Sequence, residues 1–318
     1  MIDARFTSTP TQGLLRVLSP TEERNPRTAD IDMLSALELL ERINDEDAQV
    51  PPAVRAVLPV LAEVVEVTVE RLAAGGRVHY FGAGTSGRLA LLDAVELPPT
   101  YGVDPELFIP HIAGGEAAVR RAQEGAEDDG SQGALEAAVV NPEDVVIGIA
   151  SSGYTAYVGG ALQQANSVGA HTALITSNPT APLASVATSV ICAETGPEAV
   201  TGSTRMKSAT AQKLLLNSFS TAVMVRSGRT WSNLMVDLMP TNAKLRGRLV
   251  NLLQQASGRD EADCEAALVA ASQEPKTALL MLLCPTEAEP ARAALHAAHG
   301  RVAAALEQIR ADGNLAQA

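Results

Sequence analysis

Three stretches of this chain combine glycines and hydroxyls in a way that could hold an anion. The first is Gly82-Ala83-Gly84-Thr85-Ser86-Gly87 and the second is Ser151-Ser152-Gly153-Tyr154-Thr155. The third is Thr195-Gly196-Pro197-Glu198, continuing through Thr201-Gly202-Ser203-Thr204-Arg205-Met206-Lys207. Each follows an apolar run and precedes a helical one. Free backbone N–H groups at a helix start point toward a ligand, and the helix dipole favours negative charge there. The same hydroxyls could simply cap the helices, and a single turn does not separate the two readings. Two such turns after two different strands of one sheet do, because capping does not require both to be so rich in hydroxyls. The candidate binding residues are therefore Thr85, Ser86, Ser151, Ser152 and Thr155, joined by Glu198 and Ser203 from the third stretch. Glu198, Arg205 and Lys207 read equally well as solvated charges.

The first turn also spells G-x-G-x-x-G, the pattern that binds a dinucleotide pyrophosphate. That fingerprint needs an acidic residue about 20 positions on, at the end of the second strand. Asp104 and Glu106 precede that strand, and Glu116 lies beyond Gly114 and Gly115. No dinucleotide is expected. Cys192, Cys264 and Cys284 form no C-x-x-C pair and read as buried thiols of a reducing compartment. His296 and His299 share a helix face but have no third ligand close in sequence. Neither a metal nor any other cofactor is expected.

These turns need elements to position them. Apolar, β-rich runs at 78–82, 107–112, 144–150, 173–177 and 189–193 predict five strands. Helical stretches at 86–96, 116–127 with 135–139, and 157–168 separate the first four, and a helix over 204–226 follows the fifth. This alternation predicts an α/β fold, a three-layer doubly wound parallel sheet with helices on both faces. Ligands of such sheets bind outside the carboxyl ends of the strands, where these turns fall. Before the sheet come a polar segment over 1–30, read as an extended arm, a helix over 30–43, and an apolar helical stripe over 51–73 with Pro59 inside it. After Gly228, helical pieces at 243–255, 260–271, 276–283 and 292–309 predict a small helical domain. The expected division is 1–55 (N-terminal arm and helix), 56–227 (phosphate-binding domain) and 228–318 (helical domain).

The chain has 318 residues and a net charge of -13. That balance argues against nucleic acid and membrane surfaces as partners, since both are bound through basic patches. No apolar run reaches the roughly 18 residues that cross a bilayer, and the start lacks a basic-then-apolar signal. A cytoplasmic protein is expected.

The three turns together resemble the sugar isomerase (SIS) domain. Longer motifs resemble one branch of it more specifically. They are Thr21-Glu22-Glu23-Arg24-Asn25-Pro26, Ile43-Asn44-Asp45-Glu46-Asp47, Gly82 to Arg88 continuing into Leu97-Pro98-Pro99-Thr100-Tyr101-Gly102, Glu124-Gly125-Ala126-Glu127-Asp128, and Asn233-Leu234-Met235-Val236-Asp237. They are similar to motifs of the N-acetylmuramic acid 6-phosphate etherases, over about 21–309. Tyr154 is a local departure.

The resemblance implies cleavage of the ether between sugar C3 and D-lactate, giving N-acetylglucosamine 6-phosphate. In the ring-opened sugar the C1 aldehyde acidifies the C2 proton. A base removes it, lactate leaves from C3 with an acid's help, and water then adds. The resemblance implies Glu96 as proton donor to lactate and Glu127 as the second catalytic carboxylate. Glu96 is expected to end its helix, where the dipole disfavours a negative charge and would raise its pKa. It lies ten residues past Ser86, about 15 Å along a helix, and Glu127 lies eleven past Glu116. Neither reaches its own phosphate turns easily. Either the helix bends or ends early, or the carboxylate serves a neighbouring subunit; the second option makes a homodimer with shared active sites the expectation, its arm and its 54–72 stripe contacting the neighbour. The alternatives are a sugar-phosphate isomerase or a non-catalytic sugar-phosphate sensor on the same fold.

Overall fold

The computed structural model describes residues 17–237 and 243–315, so the first half of the expected arm lies outside the described residues. The chain divides into two compact units. One comprises the chain through Val95 together with Pro105–Ser220, and the other Glu96–Asp104 together with the chain from Thr221.

In the first unit, the segment after residue 17 folds onto its own chain. Thr28 Oγ1 donates to the Ala199 carbonyl at 2.8 Å, Asn178 Nδ2 to the Leu18 carbonyl at 2.9 Å, and Gly202 N to the Thr21 carbonyl at 3.0 Å. Residues 18–28 of the expected arm are thus tied to loops of their own chain. Helix α1 (Ala36–Asp47) begins later than expected, because Ser35 and Glu38 form a reciprocal capping box there. Helix α2 (Val50–Ala73) carries Pro51 and Pro52 in its first turn and passes through Pro59 without ending. It buries Val54, Leu61, Val64 and Val65 and packs on the last strand of its own sheet. Of the expected stripe, Val54, Leu61 and Val65 are thus buried within the chain, while Leu58 stays 40% exposed.

The sheet follows as expected. Strand β1 (Val78–Gly82) leads into helix α3 (Gly84–Tyr101), then β2 (Phe108–Ile112), α4 (Gly115–Arg120), α5 (Gly130–Glu136), β3 (Val145–Ile149), α6 (Ala156–Val168), β4 (His171–Thr176), β5 (Ser189–Cys192) and α7 (Lys207–Arg226). Its strands are all parallel, in the order β2-β1-β3-β4-β5. Every residue of β1 and β3 is buried, as a sheet covered on both faces requires. The chain leaves β1 toward β2 and returns on the other side of β1 as β3. The topological switch point, where such sheets bind ligands, therefore lies between β1 and β3.

Two helices differ from the expected ones. The stretch 116–127 is not one helix. α4 stops at Arg120, and Gly125, at φ 73°, turns the chain into a short 3-10 turn, Ala126–Asp128. Helix α3 runs five residues past Glu96, through Pro98 and Pro99, so Glu96 does not end it. A proline lacks one N–H, and the loss of two hydrogen bonds has not stopped the last turns, where the Gly102 N–H still bonds the Pro98 carbonyl.

The second unit holds a hairpin of β6 (Thr230–Trp231) and β7 (Leu234–Met235), then α8 (Ala243–Ser257), α9 (Glu261–Ala270), α10 (Pro275–Leu283), α11 (Ala288–Ala297) and α12 (Val302–Leu315). The expected helix over 292–309 is two helices, parted at His299 and Gly300, which both take positive φ. Its core is aliphatic, built from residues such as Leu249, Leu253, Leu279 and Leu280. Asp237 holds Lys276 at 2.6 Å and Arg229 at 3.3 Å there. Gly102 lies so close to the Asp237 carbonyl that a Cβ would meet it at 2.2 Å.

Candidate active site

Register brings the hydroxyl turns together. Gly82 ends β1 opposite Ile149, the end of β3, and Ile149 pairs with Ile175 of β4. Adjacent strands stand about 4.8 Å apart, so the loops after β1, β3 and β4 emerge side by side. The first turn is tight. A Cβ on Gly82 would meet the Gly87 nitrogen at 2.7 Å, and one on Gly87 would meet the Gly82 oxygen at 2.7 Å. Only glycines allow α3 to start this close to β1.

The amino end of α7 ties these loops down. Ser86 Oγ donates to Gln212 Oε1 at 2.9 Å, and Gln212 Nε2 donates to Ser151 Oγ at 2.8 Å. One turn earlier on α7, Ser208 Oγ pairs with Ser177 Oγ, just past β4, at 2.8 Å. Ser177 N and Thr176 Oγ1 both donate to the Ser151 carbonyl, at 2.9 and 3.0 Å. Asn178 Nδ2 donates to the Ser152 carbonyl at 2.8 Å. One face of one helix thus gathers the loops after β1, β3 and β4.

The candidate hydroxyls fall into two groups. Ser86 is buried and bonded to Gln212, while Ser151, Ser152 and Thr155 are half-buried at the mouth of α6. Thr155 is the N-cap residue of α6, yet its side chain makes no capping bond. That hydroxyl is left for something other than the helix. Thr85 is half-buried in the first turn of α3. Tyr154 accepts the Leu18 N–H at 3.4 Å through its hydroxyl, which links the N-terminal segment to this turn.

In the third stretch, Glu198 and Lys207 make bonds that hold the fold. Glu198 is fully buried, and its two carboxylate oxygens accept the N–H groups of Lys207 and Ser208, at 2.9 and 3.0 Å. It caps α7 from outside the helix, where a negative charge meets the positive end of the dipole. Burial pushes its carboxyl up, and the two N–H bonds oppose that. Lys207 is also fully buried and donates to Glu46 at 2.7 Å. Glu46 further receives Asn25 Nδ2 at 2.8 Å and an Arg27 guanidinium nitrogen at 2.9 Å. These partners, Arg27 first, hold the Glu46 carboxyl down at about 2. The Lys207 ammonium is therefore neither a solvated charge nor free for a ligand. Ser203 is half-buried in the turn before α7, where its carbonyl accepts the Met206 N–H at 3.2 Å.

The two implied catalytic carboxylates stand differently. Because Gly125 turns the chain back, Glu127 lines a cavity of about 230 Å³ together with Ala83 and Gly84 of the first turn, Arg88, Ala113 and Gln123. Of the two options the distance left open for Glu127, the helix ends early, and the residue reaches the glycine turn of its own chain. Its side chain is exposed, but crowding at the cavity wall still costs it water. That loss, and then the charges of Asp128 and Glu124, push its carboxyl above the usual range. Arg88 turns its guanidinium to the carbonyls of Ala118 and Val119, at 2.7 and 3.0 Å, and so fixes the segment leading to Glu127. Glu96 is exposed on α3, ten residues beyond Ser86, and does not line this cavity. It counts with the second unit.

Sequence reasoning missed Gln212, Ser177 and Ser208. A glutamine or serine inside or beside a helix carries no local signal; the only hint was that α7 follows the last strand. It also missed Asp93 on α3, which accepts Ser220 Oγ at 2.9 Å and Tyr80 OH at 3.0 Å and is raised by burial to about 6.

Known proteins fit this arrangement. Residues 60–166 match the family "Glucokinase regulatory protein N-terminal SIS domain", and residues 126–222 match "SIS domain". The N-acetylmuramic acid 6-phosphate etherase of Thermobifida fusca is 53% identical over 84% of this chain and 88% of its own. N-acetylmuramic acid 6-phosphate etherase 2 of Vibrio parahaemolyticus is 49% identical over 90% of this chain and 96% of its own. The etherase of Actinobacillus pleuropneumoniae is 48% identical over 93% and 98%. With near-half identity running through both units, and with the turns and the 124–128 segment assembled at one sheet edge, this chain belongs to the N-acetylmuramic acid 6-phosphate etherase family.

Proposed function

We propose that this chain is a carbon–oxygen lyase. It cleaves the lactyl ether of N-acetylmuramic acid 6-phosphate to N-acetylglucosamine 6-phosphate and D-lactate, in the recycling or catabolism of cell-wall sugar. The observation that carries the reading is the placement of Glu127, with a raised pKa, in one cavity with the Gly84 turn. An acid–base carboxylate beside an anion cradle is what a sugar-phosphate elimination needs. An isomerase shares the first proton transfer; the etherase relatives and the 124–128 segment favour ether cleavage.

The sugar phosphate is held by Thr85, Ser86, Ser151, Ser152 and Thr155 with the first N–H groups of α3 and α6. Phosphate binding, remote from the reacting bond, supplies the energy that positions the open-chain aldehyde. Glu127 takes the C2 proton, and the electron pair forms the C2–C3 double bond. The C3–O bond breaks, and the departing lactate oxygen takes a proton from Glu96. Water then adds its oxygen at C3 and a proton at C2. Every step is a proton transfer or a C–O bond change, within the reach of two carboxyl groups. Glu198 keeps its place near the third loop as the cap of α7 and is not assigned a proton.

The working unit is proposed to be a homodimer in the cytoplasm, in which Glu96 serves the hydroxyl turns of the second copy. Glu96 is exposed, and Leu92 and Val95, on the same face of α3, are 49% and 53% exposed. A face that mixes apolar side chains with a functional carboxylate suits a second copy. The deciding experiment supplies purified protein with N-acetylmuramic acid 6-phosphate and measures lactate. Lactate with N-acetylglucosamine 6-phosphate supports the reading. A ketose phosphate without lactate makes the protein an isomerase, and binding without turnover makes it a sensor.

A further inference from the structure

Gln212 is 1% exposed, and its amide bonds one serine from each hydroxyl turn, Ser86 and Ser151. The chemistry of an amide makes these two bonds unequal. The carbonyl oxygen only accepts, so Ser86 must spend its proton on it. The amide nitrogen only donates, so Ser151 receives a hydrogen bond and keeps its own proton. Ser86 therefore turns lone pairs toward its surroundings, and Ser151 turns an O–H. Among the described residues, the Ser151 hydroxyl donates to no other group. The Ser151 carbonyl, not its hydroxyl, takes the bonds from Thr176 and Ser177. A phosphate dianion is an acceptor and is bound by donors.

We propose that Gln212 is a positioning residue that sets the proton direction of the anion cradle, leaving Ser151, of this pair, as the hydroxyl that donates to the sugar phosphate while Ser86 serves as a strut. This rests on the phosphate reading above and refines it. Ser86 then contributes through its backbone N–H at the start of α3. Without Gln212, either serine could rotate its proton toward the other turn or toward the ligand, and the cradle would no longer be set before binding.

The test uses two replacements of similar size, Gln212→Glu and Gln212→Met. Affinity for N-acetylglucosamine 6-phosphate is measured by calorimetry between about pH 5.5 and 8, with wild type and the Ser152→Ala/Thr155→Ala variant alongside. The ionised carboxylate of the Gln212→Glu variant is acceptor-only, so both serines must donate to it and neither can donate to phosphate. At pH 8, Gln212→Glu should bind at least about tenfold more weakly than wild type, the scale of one lost charge-assisted hydrogen bond. As pH falls, the protonated carboxyl again offers one donor and one acceptor. The ratio to wild type at the same pH should then return toward one. Gln212→Met should show a smaller loss with no such recovery. Wild-type affinity of Gln212→Glu at pH 8 overturns the proposal. So does a loss equal in both variants at every pH, which would mark Gln212 as packing alone. If Ser152→Ala/Thr155→Ala binds like wild type, the phosphate reading itself fails. If that variant is weakened and Gln212→Glu is not, only the role of Gln212 fails.

Discussion

Ser152 and Thr155 stand at the open end of α6 with hydroxyls that the helix does not use. The Ser152 hydroxyl accepts the Tyr154 N–H at 3.4 Å and keeps its own proton, and a hydroxyl with its proton free at a helix N-terminus can donate to an anion at little reorganisation cost. Replacing both by alanine should raise KM for the phosphorylated sugar by about tenfold or more, with a smaller change in kcat. Steady-state lactate release measures it, and an unchanged KM would remove these residues from the site. Glu127 makes a second prediction. A base must be ionised, so activity should fall as pH drops through its pKa, which lies above the usual glutamate value of 4.5. Glu127→Gln should cut lactate release by about a hundredfold or more and stop exchange of the C2 proton with solvent deuterium, leaving thermal unfolding unchanged. Continued exchange in that variant would hand the C2 step to another group.

Helix α7 organises the site more than any strand does. Its first turns receive Glu198 as cap, and its Ser208 and Gln212, four residues apart on one face, clasp three loops. Glu198→Ala would leave two buried N–H groups unpaired beside a buried lysine. It should lower stability by roughly 2 kcal/mol or more, seen as a lower urea midpoint at unchanged slope. A variant that kept full stability and lost only activity would return Glu198 to the candidate binding residues. Farther along, Ser220 of α7 and Tyr80 of β1 meet at Asp93 of α3, whose pKa rises from 3.8 to about 6. A raised carboxyl pKa means the folded state holds the proton more tightly. This contribution to stability is full below about pH 4 and is lost as pH rises through about 6. Asp93→Asn should therefore gain stability relative to wild type from pH 4 to pH 7.5. A difference independent of pH would show that Asp93 does not titrate in this range.

At the scale of the molecule, the two proposed carboxylates stand in different surroundings. Glu127 shares a cavity with the glycine turn of its own chain, and Glu96 is exposed on α3. Complementation distinguishes them. Mixing Glu96→Gln with Ser152→Ala/Thr155→Ala, after dissociation and reassociation, should give mixed dimers with one site carrying both defects and one carrying neither. Activity of those dimers should return to about half at best. Mixing Glu127→Gln with the same partner should restore nothing, because each site then carries one defect. Recovery in the second pair, or none in the first despite proven subunit exchange, would redraw which residues share a site.

The legible part of this protein was the part written locally. Glycine spacing, β-rich runs and hydroxyls at helix starts are short-range signals, and they determined the order of the strands along the chain, the doubly wound class and the turns at its edge. The motifs at 21–26 and 43–47 were visible too, but not what they do. They meet Lys207 in a buried charge cluster that joins Asn25, Arg27, Glu46 and α7. Only the tertiary structure could decide that, because Glu46 and Lys207 are 161 residues apart, and Ser86 and Gln212 are 126. It also decided that the segment from residue 18 bonds loops of its own chain and that α2 packs on β5, since an apolar stripe specifies burial but not the surface that buries it. It brought Glu127 to the cavity beside the glycine turn through the left-handed turn at Gly125, where a helical pattern had implied distance. Local chemistry follows from residue type and spacing; which hydroxyl keeps its proton, and which carboxylate caps a helix instead of reacting, depends on contacts that exist only after the chain has closed on itself.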